Sequence, residues 1–146
     1  MKTAVTLLIV CAATLLNAQA PARNHVRRIY VDEFSVNTNA EGTSLVRSKI
    51  ISSLVEACGS NCAVVEAIGP SGDNGQDTAD AILTGTIRVD TADGRHYRVQ
   101  GAMRLVDKDG SVLWAGNVYS SPFARSATSS FADNTAKKLA SFLAVQ

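Results

Sequence analysis

The chain has 146 residues, with 14 Lys and Arg against 13 Asp and Glu, 46% hydrophobic residues and 3 cysteines. A net charge of +1, with no basic tail and no acidic block, removes the long-range pull that nucleic acids and anionic lipid surfaces exert on strongly basic proteins. Charge-driven recognition by this chain is therefore local, and no nucleic-acid partner is expected.

Lys2 gives a positive start, residues 4–16 are almost purely apolar, and Asn17-Ala18-Gln19-Ala20-Pro21-Ala22 follows. Small residues at −1 and −3 fit signal peptidase, with cleavage after Ala20 or after Ala22. The apolar run is short of the ~20 residues that a spanning helix needs. Residues 1–22 thus read as a signal peptide and 23–146 as one secreted, periplasmic domain, with no transmembrane segment in the mature chain. Cys11, behind Leu8-Ile9-Val10, makes a poor lipobox, so the mature form is expected to be soluble, to begin at Pro21 or Arg23, and to carry no lipid. The remaining chain, about 125 residues, is long enough for one domain with a core of its own.

Residues 26–36, VRRIYVDEFSV, are rich in β-branched and aromatic residues and read as a strand. After the turn-rich NTNAEG, Thr43 is a candidate N-cap, and Val46, Ile50, Leu54 and Ala57 fall on one helical stripe. Gly59 ends that helix at the position where a left-handed residue is wanted. Cys58 and Cys62, in ACGSNCAVV, read as a local disulfide stapling the turn in an oxidising compartment. The rival is a redox dithiol, which usually has two intervening residues at a helix start, whereas Cys58 ends a helical pattern. His25 and His96 show no ligand spacing, so neither a metal nor a cofactor is expected.

CAVVEAI reads as a short strand, and GPSGDNGQD as a surface loop that lacks the lysine and ordered glycines of a phosphate cradle. Three further strands follow. A three-residue loop Ala92-Asp93-Gly94 would set Val89 opposite Tyr97, Ile87 opposite Val99 and Leu83 opposite Met103, all on one face. Lys108-Asp109-Gly110 repeats the device before SVLWAGNVYSS. Ala132, Ala136, Leu139 and Leu143 then make a second helical stripe, flanked by Phe131 and Phe142. The order β-α-β-β-β-β-α predicts a single α/β (α+β) domain, a mixed sheet of about five strands with helices mainly on one face.

Little in the chain looks like catalysis. No serine sits in a nucleophile elbow, and the adjacent Asp32 and Glu33 would point to opposite faces of a strand. Asp107 and Asp109 belong to a turn, where Asp bonds its own backbone. The one catalytic candidate is His96, opposite Asp90 in the register above, for which a solvated cross-strand pair is the simpler reading. The same register gathers Arg88, Arg98 and Arg104 on one face with Thr86, Gln100 and His96. It also pairs Arg104 with Trp114 on that face, near enough for a cation–π contact. Such a row is first the wet side of a one-sided sheet, but Trp and Arg are also enriched at binding hot spots.

The whole pattern resembles a known periplasmic domain. VDEF, the helix SLVRSKIISSLVEA, VVEAI, ADAILTGTIRV, the hairpin YRVQGAMRLVDKDGSVLWAG and an Ala-rich closing helix are similar to the domain shared by curli-assembly transport proteins and penicillin-binding-protein activator lipoproteins. The amino-terminal domain of the Tol-system propeller protein is related in fold. The resemblance implies an envelope protein that binds other proteins and is not an enzyme. The connections are too short for the curli channel's membrane barrel, and the acylated cysteine of both groups has no counterpart.

The expectation is therefore a non-enzymatic envelope accessory module that docks another envelope protein through Arg88, Arg98, Arg104, Trp114, Gln100 and His96. The alternatives are an enzyme of unknown class using His96 and Asp90, or a glycan or small-ligand binder using Trp114 and the arginines. Self-association stays open.

Overall fold

In a computed structural model of the chain, residues 26–36, 43–65, 75–92, 96–121 and 126–145 are described. The candidate leader, His25, the glycine-rich residues 69–74 and the first hairpin turn at 93–95 lie outside them. Six strands and three helices follow in the order β1 (Arg28–Val31), β2 (Ser35–Val36), α1 (Thr43–Cys58), β3 (Ala63–Val65), α2 (Gly75–Thr78), β4 (Ala81–Ala92), β5 (His96–Asp107), β6 (Val112–Tyr119) and α3 (Ala127–Leu143). The single mixed sheet runs β3-β1-β4-β5-β6, with β2 also on β4. Strands β1 to β4 pair in parallel and the long β4-β5-β6 meander is antiparallel. Helix α1 packs on β1 and β3, α3 on β5 and β6, and the two helices on each other.

The expected first strand is interrupted. Val31 pairs with Leu83 while Ser35 pairs with Thr86, so residues 32–34 hold one residue more than β4 does across the same gap. The Asp32 amide donates to the Leu83 carbonyl (3.0 Å), and the Asp32 carboxylate accepts from the Glu33 amide (2.8 Å). This bulge turns Phe34 inward, where it is buried, and returns Val36 to the core side.

Alternation along the strands builds the core. Ile29, Val31, Leu83, Ile87, Val99, Met103, Leu105 and Val118 are buried from the sheet, meeting Val46, Ile50, Leu54, Phe131, Ala136 and Leu139 from the helices. Two helical expectations shift. The buried stripe of α1 is Val46, Ile50, Ile51, Leu54 and Cys58, while Ala57 is exposed. Phe131 does not flank the α3 stripe: it is fully buried, with Leu143 and Phe142 only partly covered. Helix α3 starts at Ser126, whose hydroxyl accepts from the Ser129 amide. One turn of helix, Gly75–Thr78, stands where the sequence suggested continuous loop.

Asp80 explains why an acid precedes β4. Its Oδ2 accepts from the amides of Arg27 (3.0 Å) and Arg28 (2.8 Å), and its own amide donates to the Arg28 carbonyl (2.8 Å). The carboxylate thus fixes the start of β1 against the start of β4.

Cys58 and Cys62 form the expected disulfide, with Cα atoms 5.2 Å apart. It ties the end of α1 to the residue before β3, across a turn in which Gly59 has φ of +54° and the Asn61 amide donates to the Cys58 carbonyl. Closing so short a loop restrains the unfolded chain by only ~2 kcal/mol. The Cys58→Ser/Cys62→Ser variant should therefore fold and melt roughly 6–10 °C lower. Thiol titration of the native, unreduced protein should find neither cysteine free.

Candidate functional site: the open face of the sheet

Both long helices cover one face of the sheet, so the residues of the other parity in β4, β5 and β6 form a face on which no described helix packs. Arg88, Arg98 and Arg104 are exposed there, and Gln100 lies between them. The sequence-derived faces of the first hairpin hold, but its pairing is displaced by two residues. Val89 pairs with Val99, Ile87 with Gly101 and Leu83 with Leu105. An even shift preserves which side each residue faces.

That shift separates the catalytic candidates. His96 pairs with Ala92, and Asp90 lies opposite Arg98. The His96 side chain lies outside the described residues. The Asp90 carboxylate is engaged elsewhere: Oδ1 accepts from Arg88 Nε (2.7 Å) and Oδ2 from Gln100 Nε2 (3.1 Å). No group of three or more His, Cys, Asp or Glu among the described residues could hold a metal ion.

Trp114 is the larger correction. The second loop is three residues long as expected, since the Asp107 amide donates to the Ser111 carbonyl and Gly110, with φ of +83°, closes the turn. The register then slips: Val106 pairs with Val112, but Leu105 pairs with Trp114. One extra residue at Leu113 rotates the remainder of β6 and carries Trp114 to the helix side of the sheet, where it packs against the core. Arg104 instead faces Ala115, so the expected Arg104–Trp114 contact does not form. A cation–π contact occurs elsewhere, where Arg47 lies 5.7 Å from the centre of the Tyr30 ring and donates through Nε to the Val31 carbonyl.

The slip brings other residues to the open face. Asn117 pairs with Ala102 and Tyr119 with Gln100, joining the arginines. Together with Ser35, Val36, Thr86 and Gly101 they line a shallow depression of about 520 Å³, which adjoins a second of about 320 Å³ between Glu33, Thr84 and Arg104. Sequence alternation alone identifies Thr86 and Gln100. It misses Asn117 and Tyr119, because a bulge leaves no composition signal in LWAGN.

The electrostatics of the strip are uneven. Arg88 is neutralised by Asp90, while Arg98 and Arg104 make no ion pair among the described residues. They stand six positions apart on β5, on the order of 20 Å. Between them lies Ala102, flanked by Thr86 and Asn117.

The edge next to this face is closed to strand addition along half its length. Asn134 Nδ2 donates to the Tyr119 carbonyl (2.8 Å) and Lys138 Nζ to the Asn117 carbonyl (2.7 Å), so α3 uses acceptors that an edge strand would otherwise offer.

Fold and face together define an open-faced mixed α/β module of the two-layer kind. PelC from Paraburkholderia phytofirmans, a dodecamer solved in two crystal forms, matches it with a TM-score of 0.56 and 20% identity, over 84% of this chain and 92–93% of PelC. Lipoprotein GNA1162 from Neisseria meningitidis aligns with a TM-score of 0.44 and 16% identity, over 82% of this chain and 99% of that one. At these identities the likeness to PelC is one of fold. No family model matches the chain, nor does any curated protein sequence. No helix among the described residues is long and apolar enough to cross a membrane.

Proposed function

We propose that the chain is a non-enzymatic accessory module of the cell envelope, exported to the periplasm, that docks another envelope protein through the open face of its sheet. On this reading it is a divergent relative of the domain in curli-assembly transport proteins and penicillin-binding-protein activators. The observation that carries the proposal is the row of exposed arginines, Arg88, Arg98 and Arg104, on a sheet face that no described helix covers, beside two shallow depressions of which Arg88 lines one and Arg104 the other. A flat wet face needs neither the concavity nor the charge imbalance. The partner surface is accordingly acidic, and association should weaken with salt, because exposed charge pairs are screened within about 8–10 Å at ordinary ionic strength.

The test is a crosslinked pull-down from envelope extract with Arg98→Glu/Arg104→Glu. Neither side chain is buried, so the variant should keep its circular dichroism spectrum and melting temperature while losing the partner captured by the parent protein. Undiminished capture would rule out this face.

Self-assembly is the second reading, favoured by the dodecameric state of PelC, a protein of similar fold. Light scattering on the purified mature protein should then report a particle heavier than one chain, whereas a monomer at all concentrations would remove this reading.

A further inference from the structure

Trp114, displaced from the arginine face, stands in a groove of its own on the opposite side of the sheet. The groove is shallow and open, runs between β6 and α3 with a volume of about 420 Å³, and is lined by Trp114, Ala115, Gly116, Lys137, Lys138 and Ser141. That volume falls within the roughly 300–1,000 Å³ of small-ligand pockets. The six-membered part of the indole covers Gly116: a Cβ there would lie 3.0 Å from Cζ2 and 3.5 Å from Cε2 and Cη2. Only glycine lets the ring settle against the strand in this way. One side of the half-buried indole is thus held by the core and the backbone while the rest lines the groove.

The polar chemistry around the ring is one-sided. Lys138 is placed by its bond to the Asn117 carbonyl, and two of its ammonium protons remain available. Lys137 is exposed and makes no ion pair among the described residues. No described residue accepts from the indole N–H, although such a group usually finds an acceptor when covered. No carboxylate is among the described residues that line the groove. The site therefore offers donors and positive charge beside a fixed aromatic platform. A bare anion would leave the platform unused, and a neutral sugar would leave the ammonium groups unpaired. A ring with an apolar C–H face and a carboxylate at its rim uses both.

We propose that the Trp114 groove binds an acidic saccharide, the sugar ring against the indole and its carboxylate on Lys137 and Lys138. This site is separate from the protein-docking face and does not depend on it.

Trp114 is the single tryptophan in the sequence, so intrinsic fluorescence reports on this groove. The mature protein is titrated at fixed ionic strength with oligogalacturonate, with a neutral malto-oligosaccharide of equal length, and with sodium phosphate. A saturable change is expected with oligogalacturonate only. Lys137→Glu, a change at an exposed helix position, should preserve the fold by circular dichroism and weaken that binding at least about tenfold, the loss of one charge pair having become a repulsion. An equal response to phosphate would reduce the groove to a general anion site. An equal response to the neutral sugar would remove the role of the lysines. Either result overturns the proposal, as does the absence of saturable binding or full affinity in Lys137→Glu.

Discussion

Phe131→Ala should destabilise the protein by about 3–5 kcal/mol, the range for deleting a buried aromatic ring from a well-packed core. Phe131 has no exposed surface and sits where α3 crosses β5, its ring pressed against Gly101 so closely that a Cβ there would meet Cζ at 2.8 Å. Both walls are regular structure, a strand and a helix whose Thr135 hydroxyl donates to the Phe131 carbonyl, so the site collapses only in part. Domains of this size hold only about 5–15 kcal/mol in total, which makes the loss a large fraction. Urea unfolding followed through Trp114 should show the midpoint moving sharply with little change in slope. A loss under ~1 kcal/mol would mean that the neighbours refill the space. Gly101→Val adds an independent check: its nearest contact is the ring, with the Thr86 carbonyl oxygen next at 3.1 Å, so it should cost less in the Phe131→Ala background than alone, though not nothing.

The second large effect is expected at Gly85. A Cβ there would lie 2.5 Å from the Ala102 carbonyl oxygen, 2.9 Å from Met103 Sδ and 3.1 Å from Met103 Cα. Two of those atoms are backbone of the neighbouring strand, which cannot rotate aside as a ring or a thioether does. Gly85→Val should therefore part β4 from β5 at the middle of the sheet and cost about 3 kcal/mol, at or above the upper end of ordinary overpacking. The Phe131→Ala background should give no relief, in contrast to Gly101→Val. Thermal melts of the two valine variants, alone and in that background, separate the cases. Equal relief for both would show that the Gly85 contact yields through the helix side.

Much of this architecture is legible in the chain because it rests on local period. The alternation of residues 83–105 assigns Leu83, Ile87, Val99 and Met103 to one face and Arg88, Arg98, Gln100 and Arg104 to the other, and each faces as expected. That assignment survives a two-residue error in pairing because the side-chain period is two. The spacing of Val46, Ile50 and Leu54 likewise defines the buried side of α1, and Gly59 marks its end.

Tertiary structure decided what depends on single extra residues and on contacts across the fold. One residue inserted at Leu113 reverses the faces of β6, moving Trp114 into a groove with Lys137 and Lys138 and placing Asn117 and Tyr119 beside the arginines. One residue more in 32–34 splits the first strand and buries Phe34. Neither bulge alters composition or local propensity: each is fixed by how a strand must twist to keep its later residues over the core. The pairing that leaves His96 opposite Ala92 is equally non-local, set by packing along the whole length of β4 and β5. By itself the sequence determined the two long helices, the faces of β4 and β5 and the disulfide. Which aromatic and which cations share a surface was decided by register, because a shift of one residue in a strand exchanges its two sides.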